Sequence, residues 1–168
     1  MRIKNLLLIM FVLTIVTLLS AQKYEDFSLP DINNNEVKLS EHIGKGIVIL
    51  DFWATWCQPC VKLLPEMDKI HREFDDVTVI AINVDNPRLV SKAKGQVRSQ
   101  KYSFVTLFDT NQAVMKKFRV SSIPQTFVYD TEGKVIYEHS GYTKGDEAKL
   151  REIILANRKK IEQQVEEE

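Results

Sequence analysis

Cysteine is scarce in this chain: of 168 residues only Cys57 and Cys60 are cysteines, separated by two residues. A domain stapled by disulfides would carry more of them at wider spacing. A bridge closing so short a loop also removes little entropy from the unfolded chain, because that effect grows with the logarithm of loop length. Histidine is equally sparse, with His42, His71 and His139 scattered singly. A structural zinc site needs four ligands, and a second Cys/His cluster is missing, so no metal is expected. Neither sign of charge is in excess, with 23 basic and 23 acidic residues. That balance supplies no basic field for phosphate backbones and argues against nucleic-acid binding. No internal repeat divides the sequence, and a length of this order fits one domain.

The first residues read as an export signal. Arg2 and Lys4 precede an apolar run from Leu6 to Leu19, which ends in Ser20 and Ala21. The run falls short of the ~20 residues that span a bilayer comfortably, so cleavage after Ala21 is expected, with an N-terminal membrane anchor as the alternative. No cysteine lies near the end of the run, which excludes a lipoprotein. The expected organisation is a leader at 1–21, one domain at 22–161 and a polar tail at 162–168 that frays. Such a domain works outside the cytoplasm, in a periplasmic or equivalent space where disulfides persist.

Beyond the leader, Phe27–Leu29 and Val37–Leu39 flank the turn-forming Asn33-Asn34-Asn35 and predict a small hairpin. Ser40 is placed to cap a brief helical turn. The continuous apolar runs at Ile47–Phe52 and Val77–Val84 predict strands buried on both faces. Between them Val61, Leu64, Met67, Ile70 and Phe74 recur at helical spacing, with Pro65 expected to kink the helix. A moderately helical, basic stretch from Arg88 to Lys101 leads to a short strand at Phe104–Phe108. Asp109 or Thr110 is placed to cap a further helix, followed by strands at Gln125–Tyr129 and Val135–His139 and a last helix from about Asp146. The layout is an α/β fold, a central mixed sheet flanked by helices.

Cys57 then falls at the start of a helix that follows a buried strand directly. A thiol attacks a disulfide only as thiolate. At a helix N-terminus unpaired N–H groups and the helix dipole stabilise that anion. Cysteines so placed have pKa values of about 3.5 to 7.5, against about 8.5 when free. Cys60, nearly one turn further in, is the shielded resolving thiol, and Gln58 and Pro59 between them tune the couple. Of the two tryptophans, Trp53 is expected in the packing and Trp56 over the cysteine pair.

From Asp51 through Trp53, Trp56, Cys57, Gln58, Pro59 and Cys60, the sequence resembles the thioredoxin superfamily. Pro65 falls where that family kinks its helix, and Ser122-Ile123-Pro124-Gln125-Thr126 resembles its cis-proline loop. The resemblance implies that Pro124 lies against the sulfurs and that the Ile123 backbone pairs with substrate. The leader, the hairpin, Leu39-Ser40 with Gly44-Lys45-Gly46, and the extra helix and strand from Arg88 to Phe108 resemble the TlpA/ResA-like group. That group implies a thioredoxin-like fold with an N-terminal hairpin and a central helix–strand insertion. It also implies an extracytoplasmic thiol reductant, in several members serving cytochrome c maturation. The Pro-x-x-x-Thr-x-x-Cys arrangement of peroxiredoxins is lacking.

Asp51 matches the buried acid that thioredoxins place beneath the second cysteine, whereas the lysine that usually accompanies it maps to Ala81. A buried carboxylate without a cation has a raised pKa. Asp51 is therefore expected to exchange a proton with Cys60, through a water, near neutral pH. The expected activity is reduction of protein disulfides by the Cys57–Cys60 pair, with protein thiols and disulfides as partners, a membrane thiol carrier as reductant, no cofactor, and a monomeric state. Two alternatives stand beside it: a disulfide oxidase or isomerase, and a non-catalytic peptide-binding module that uses the Pro124 loop.

Overall fold

The computed structural model describes residues 24–166, so the leader and the last two residues of the tail lie outside the described residues. Two antiparallel strands, β1 (Ser28–Pro30) and β2 (Glu36–Lys38), form the predicted hairpin. Its turn is organised by Asp31, whose Oδ1 accepts the backbone N–H groups of Asn33 at 2.7 Å and Asn35 at 2.8 Å. This is the local acceptor role that suits aspartate to turns. Asn34 supplies the positive φ of 67°.

The main sheet has five strands in the order β5-β4-β3-β6-β7. They are β3 (Ile47–Trp53), β4 (Val77–Asn83), β5 (Val105–Phe108), β6 (Gln125–Tyr129) and β7 (Val135–Ser140). β3, β4 and β5 run parallel, whereas β6 and β7 run antiparallel to their neighbours. The two parallel connections each need a crossover, supplied by α1 (Gln58–Glu73) and α2 (Val90–Gln100). Helix α3 (Ala113–Lys117) precedes β6, and α4 (Asp146–Glu166) closes the described chain. Among the described residues no helix is long and apolar enough to cross a membrane.

Every residue of β3 is buried, as expected of a central strand covered on both faces. Phe52 belongs to a cluster with Phe27, Phe118 and Phe127, whose ring centroids lie 5.6 to 6.2 Å apart in tilted or edge-on pairs. Those geometries suit the ring quadrupoles. The cluster ties the N-terminal segment, the end of α3 and β6 to one side of the sheet. The alternation of β3 sends Asp51 and Trp53 to the other side. The hairpin is joined to β5 by an isolated bridge between Asp31 and Leu107, which covers an otherwise open sheet edge. Gly46 has φ +152°, and a Cβ there would run into the Asp76 carbonyl, the acceptor for Ile47 N–H. Only glycine lets β3 begin so close to that turn.

Three expectations are corrected. Ser40 is not a cap: the turn is a 3₁₀ segment, Leu39–Glu41, whose preceding residue is Lys38. The cap-like acceptor is Asp26, whose Oδ1 takes the N–H groups of Phe27 and Ser40, each at 3.0 Å. Asp109 acts from outside its helix, since α3 starts later, after Gln112 in a left-handed conformation, and Asp109 Oδ2 accepts Met115 N–H at 2.7 Å. The last helix, α4, reaches past Ile161, the expected end of the domain, to Glu166.

Candidate functional site

The centre of the site is built by the passage from β3 to α1. Cys57 is the N-cap of α1, in extended conformation, and its sulfur accepts the Cys60 N–H at 3.2 Å. An orphan donor of the first helical turn is thereby aimed at this sulfur. Pro59 sits within that first turn, where a missing N–H costs nothing. Cys57 and Cys60 are joined as a disulfide with Cα atoms 5.3 Å apart. Cys57 is 5 % exposed, whereas Cys60 is completely buried.

The loop before β6 meets this pair from across the sheet. The Ile123–Pro124 peptide bond is cis, and Cys57 Sγ lies 3.7 Å from the Ile123 carbonyl oxygen. In the disulfide that sulfur carries no proton, so this is a contact; a reduced thiol at the same place can donate. Pro124 is itself buried, and its carbonyl accepts Gly141 N–H at 2.8 Å, which fixes the loop to the end of β7.

Asp51 is fully buried in β3. Its register partner on β4 is Ala81, so no cation stands beside it there, and its partner on β6 is Thr126. The Thr126 hydroxyl donates to Asp51 Oδ1 at 2.9 Å, and Oδ2 has no hydrogen-bond partner. Burial pushes the carboxyl up to about 7, with the Thr126 hydrogen bond pulling the other way.

The remaining sequence-predicted residues divide. Trp53 is wholly buried, whereas Trp56 is 59 % exposed. Gln58 and Pro59 border an open groove of about 410 Å³, lined also by Lys62, Glu66, Tyr142, Lys144 and Glu147. The acids of this groove are engaged, Glu66 with Lys69 and Glu147 with the Tyr142 hydroxyl and Gly145 N–H. Among the described residues no group of three or more His, Cys, Asp or Glu is arranged to hold a metal ion.

One residue escaped sequence reasoning. Asp85, just beyond β4, is fully buried and accepts Thr55 N–H at 3.0 Å, the Thr55 hydroxyl at 3.3 Å and Asn83 Nδ2 at 2.9 Å. It holds the turn two residues before Cys57. Its signal in the sequence was an acid ending an apolar run, which also reads as an ordinary strand terminus.

This strand order, with a bonded C-x-x-C pair at the start of the helix after the central strand and a cis-proline loop facing it, defines a thioredoxin-like fold with a disulfide centre. The chain belongs to the AhpC/TSA family, whose sequence model matches residues 21–138. It is similar to the thiol-disulfide oxidoreductase ResA of Bacillus subtilis (strain 168), 35% identical over 113 residues that make up 66% of this chain and 62% of that protein. ResA of Geobacillus kaustophilus (strain HTA426) is 36% identical over 112 residues, 66% of this chain and 63% of that protein. These matches thus span less than two thirds of the relatives' own length. Among solved structures, a candidate thiol:disulfide interchange protein DsbE from Chlorobium tepidum superposes with a TM-score of 0.74 at 32% identity, covering 80% of this chain and 94% of that one.

Proposed function

We propose that this protein is an extracytoplasmic thiol–disulfide oxidoreductase that reduces disulfides in other proteins through Cys57 and Cys60. The observation that carries the reading is the asymmetry of the pair: Cys57 caps α1 and takes the Cys60 N–H at its sulfur, whereas Cys60 is shut away from solvent. The reduced Cys57 is thus stabilised as thiolate by the helix end and attacks the substrate disulfide. One substrate sulfur leaves as a thiolate and the other stays bonded to Cys57. Cys60 then attacks Cys57 Sγ, expels the second substrate thiol and closes the bridge.

That second step needs Cys60 to lose its proton inside the protein. Asp51 takes it in this scheme, since an acid with a pKa of about 7 has its base form available near neutral pH. The backbone of Ile123, beside Cys57 Sγ, pairs with the substrate chain, and Pro124 holds that backbone in place. Trp56, Gln58 and Pro59 form the exposed rim over which the substrate passes.

The resemblance to the TlpA/ResA-like group supports the reducing direction, with a membrane thiol carrier restoring the dithiol and with cytochrome c maturation as the setting. The apolar run near Arg2 and Lys4 supports export, by a cleaved leader or an anchor. Two measurements test the reading. Insulin reduction by dithiothreitol should accelerate with the parent and not with Cys57→Ser; no acceleration by the parent would refute an oxidoreductase of broad range. Equilibration of the couple with glutathione should give a potential nearer thioredoxin's, about −270 mV, than the about −120 mV of a strong oxidant. An oxidising value would reverse the direction of electron flow.

A further inference from the structure

Each strand of the main sheet contributes one residue to a single row. Thr106, Ala81, Asp51, Thr126 and His139 are successive cross-strand partners on β5, β4, β3, β6 and β7. Residues so paired project to the same face, where neighbours touch. In the middle of this row Asp51 is sealed from solvent. Ala81 closes its β4 side, and on the β6 side the Thr126 hydroxyl is bonded to it.

Thr126 does not end in packed hydrocarbon. With Leu63, Tyr137, His139, Tyr142 and Asp146 it lines a cavity of about 10 Å³. A cavity of about that size is at the threshold for a single water, and a water there needs two to four polar partners. Thr126, His139 and Asp146, each with a polar group to offer, are among its lining residues. His139 is part-exposed, and its Nε2 lies 3.5 Å from Asp146 Oδ2. A fully buried acid is thus bonded to a hydroxyl whose residue shares a small cavity with a part-exposed histidine.

We propose that Thr126, a water in this cavity and His139 form the path by which Asp51 exchanges its proton with solvent. Outward, the Asp51 O–H bond breaks as its proton moves to Thr126 Oγ1. The proton that the hydroxyl held passes to the water, and one proton of the water bonds to a ring nitrogen of His139. The imidazolium, beside Asp146, releases it to bulk. Each oxygen along the path finishes with the number of protons it began with, and no electron moves. Imidazole is the side chain suited to accept and return a proton near neutrality. The path matters because Asp51 must be ionised before it can take the Cys60 proton, a use that rests on the oxidoreductase reading. The exchange itself does not rest on it.

Other groups bear on the path from each neighbouring element. From α1, Cys60 belongs to the redox pair that the scheme couples to Asp51, and Glu66 acts on Tyr142. From β7 and the loop after it come Tyr137, stacked on His139 with centroids 6.0 Å apart, and Tyr142. From α4 come Asp146, with Lys149 acting on Tyr137 and Glu147 holding the Tyr142 hydroxyl. Of the groups around the path, Thr126 is the one hydrogen-bonded to Asp51.

The test uses the oxidised protein, in which neither cysteine titrates, with ¹³C-labelled aspartate carboxyls followed by NMR through the Asp51 transition at about 7. In the parent the Asp51 signal should move as one averaged resonance. His139→Gln and Thr126→Val should each slow the exchange about a hundredfold, at the lower end of what a positioned acid–base group supplies, and broaden or split the signal. Added imidazole should restore fast exchange in His139→Gln and not in Thr126→Val, and Thr126→Ser should behave as the parent. Parent-like line shapes in both variants would overturn the proposal. So would slowing in His139→Gln that imidazole leaves in place, since a role in packing alone is not rescued by a free base. Insulin reduction is not used in this test, so a failure of the path and a failure of the oxidoreductase reading are read separately.

Discussion

Asp51 and Ala81 stand directly opposite each other on β3 and β4, so the buried carboxylate faces a methyl group where a cation would stabilise its charge. The carboxyl is consequently easier to protonate in the folded protein than in the unfolded chain.

A stability difference follows with a definite sign. The folded pKa of about 7 lies above the ordinary aspartate value of 3.8. The native state therefore binds more protons between these values, and its stability falls as pH rises through them. Asp51→Asn, which keeps the shape without the charge, should stabilise the protein at pH 8 by up to about 4 kcal/mol and hardly at all at pH 4. Urea midpoints at the two pH values check this; an equal effect at both would remove the raised pKa.

The same substitution should slow chemistry in one step only. Release of substrate thiol from a mixed disulfide at Cys57 should fall about a hundredfold, as for loss of a general base. The parent rate should rise with pH through about 7 as Asp51 ionises. Alkylation of Cys57 by iodoacetamide should be nearly unchanged. Equal release rates in the variant and the parent would show that Asp51 does not serve Cys60.

Much of this arrangement was legible in the sequence because it rests on local pattern. The apolar runs at β3 and β4 bury both faces, the 3.6-residue period marks α1, and the cysteine pair falls at its start. Ala81 was also placed correctly opposite Asp51, by resemblance. Less legible were Asp26, Asp85 and His139, because each acts on a residue distant in sequence. Asp26 receives Ser40 N–H, Asp85 receives Thr55 N–H, and His139 reaches the Asp51 row only through β6. The continuation of α4 past Ile161 escaped for a different reason: its last residues are polar, and polarity alone does not end a helix.

Asp85→Ala should destabilise the domain by about 3 kcal/mol, because the buried donors Thr55 N–H and Asn83 Nδ2 lose their acceptor. The turn before Cys57 should loosen with it. Amide exchange at Thr55 should quicken more than at Ile80, in the centre of β4. Uniform quickening would mean that Asp85 supports the whole sheet equally.

The two tryptophans should separate cleanly. Trp56→Ala should leave the unfolding free energy within about 0.5 kcal/mol of the parent, as for an exposed side chain, and should lower the rate of insulin reduction. Trp53→Ala, by contrast, should cost about 3 to 5 kcal/mol. A stability loss of that size at Trp56 would place it in the core.

The strand order also bears on when activity exists at all. β3 is flanked by β4, the next strand in the chain, and by β6, which begins only at Gln125. Cys57 and the Ile123 carbonyl consequently meet only when this non-local pairing has formed. A fragment that ends before β6 retains both cysteines and lacks the strand pairing that brings the Ile123 carbonyl beside Cys57 Sγ. On the proposed function, catalysis would therefore report the integrity of the entire sheet, and a partly unfolded molecule would fall silent before its thiols lost their reactivity.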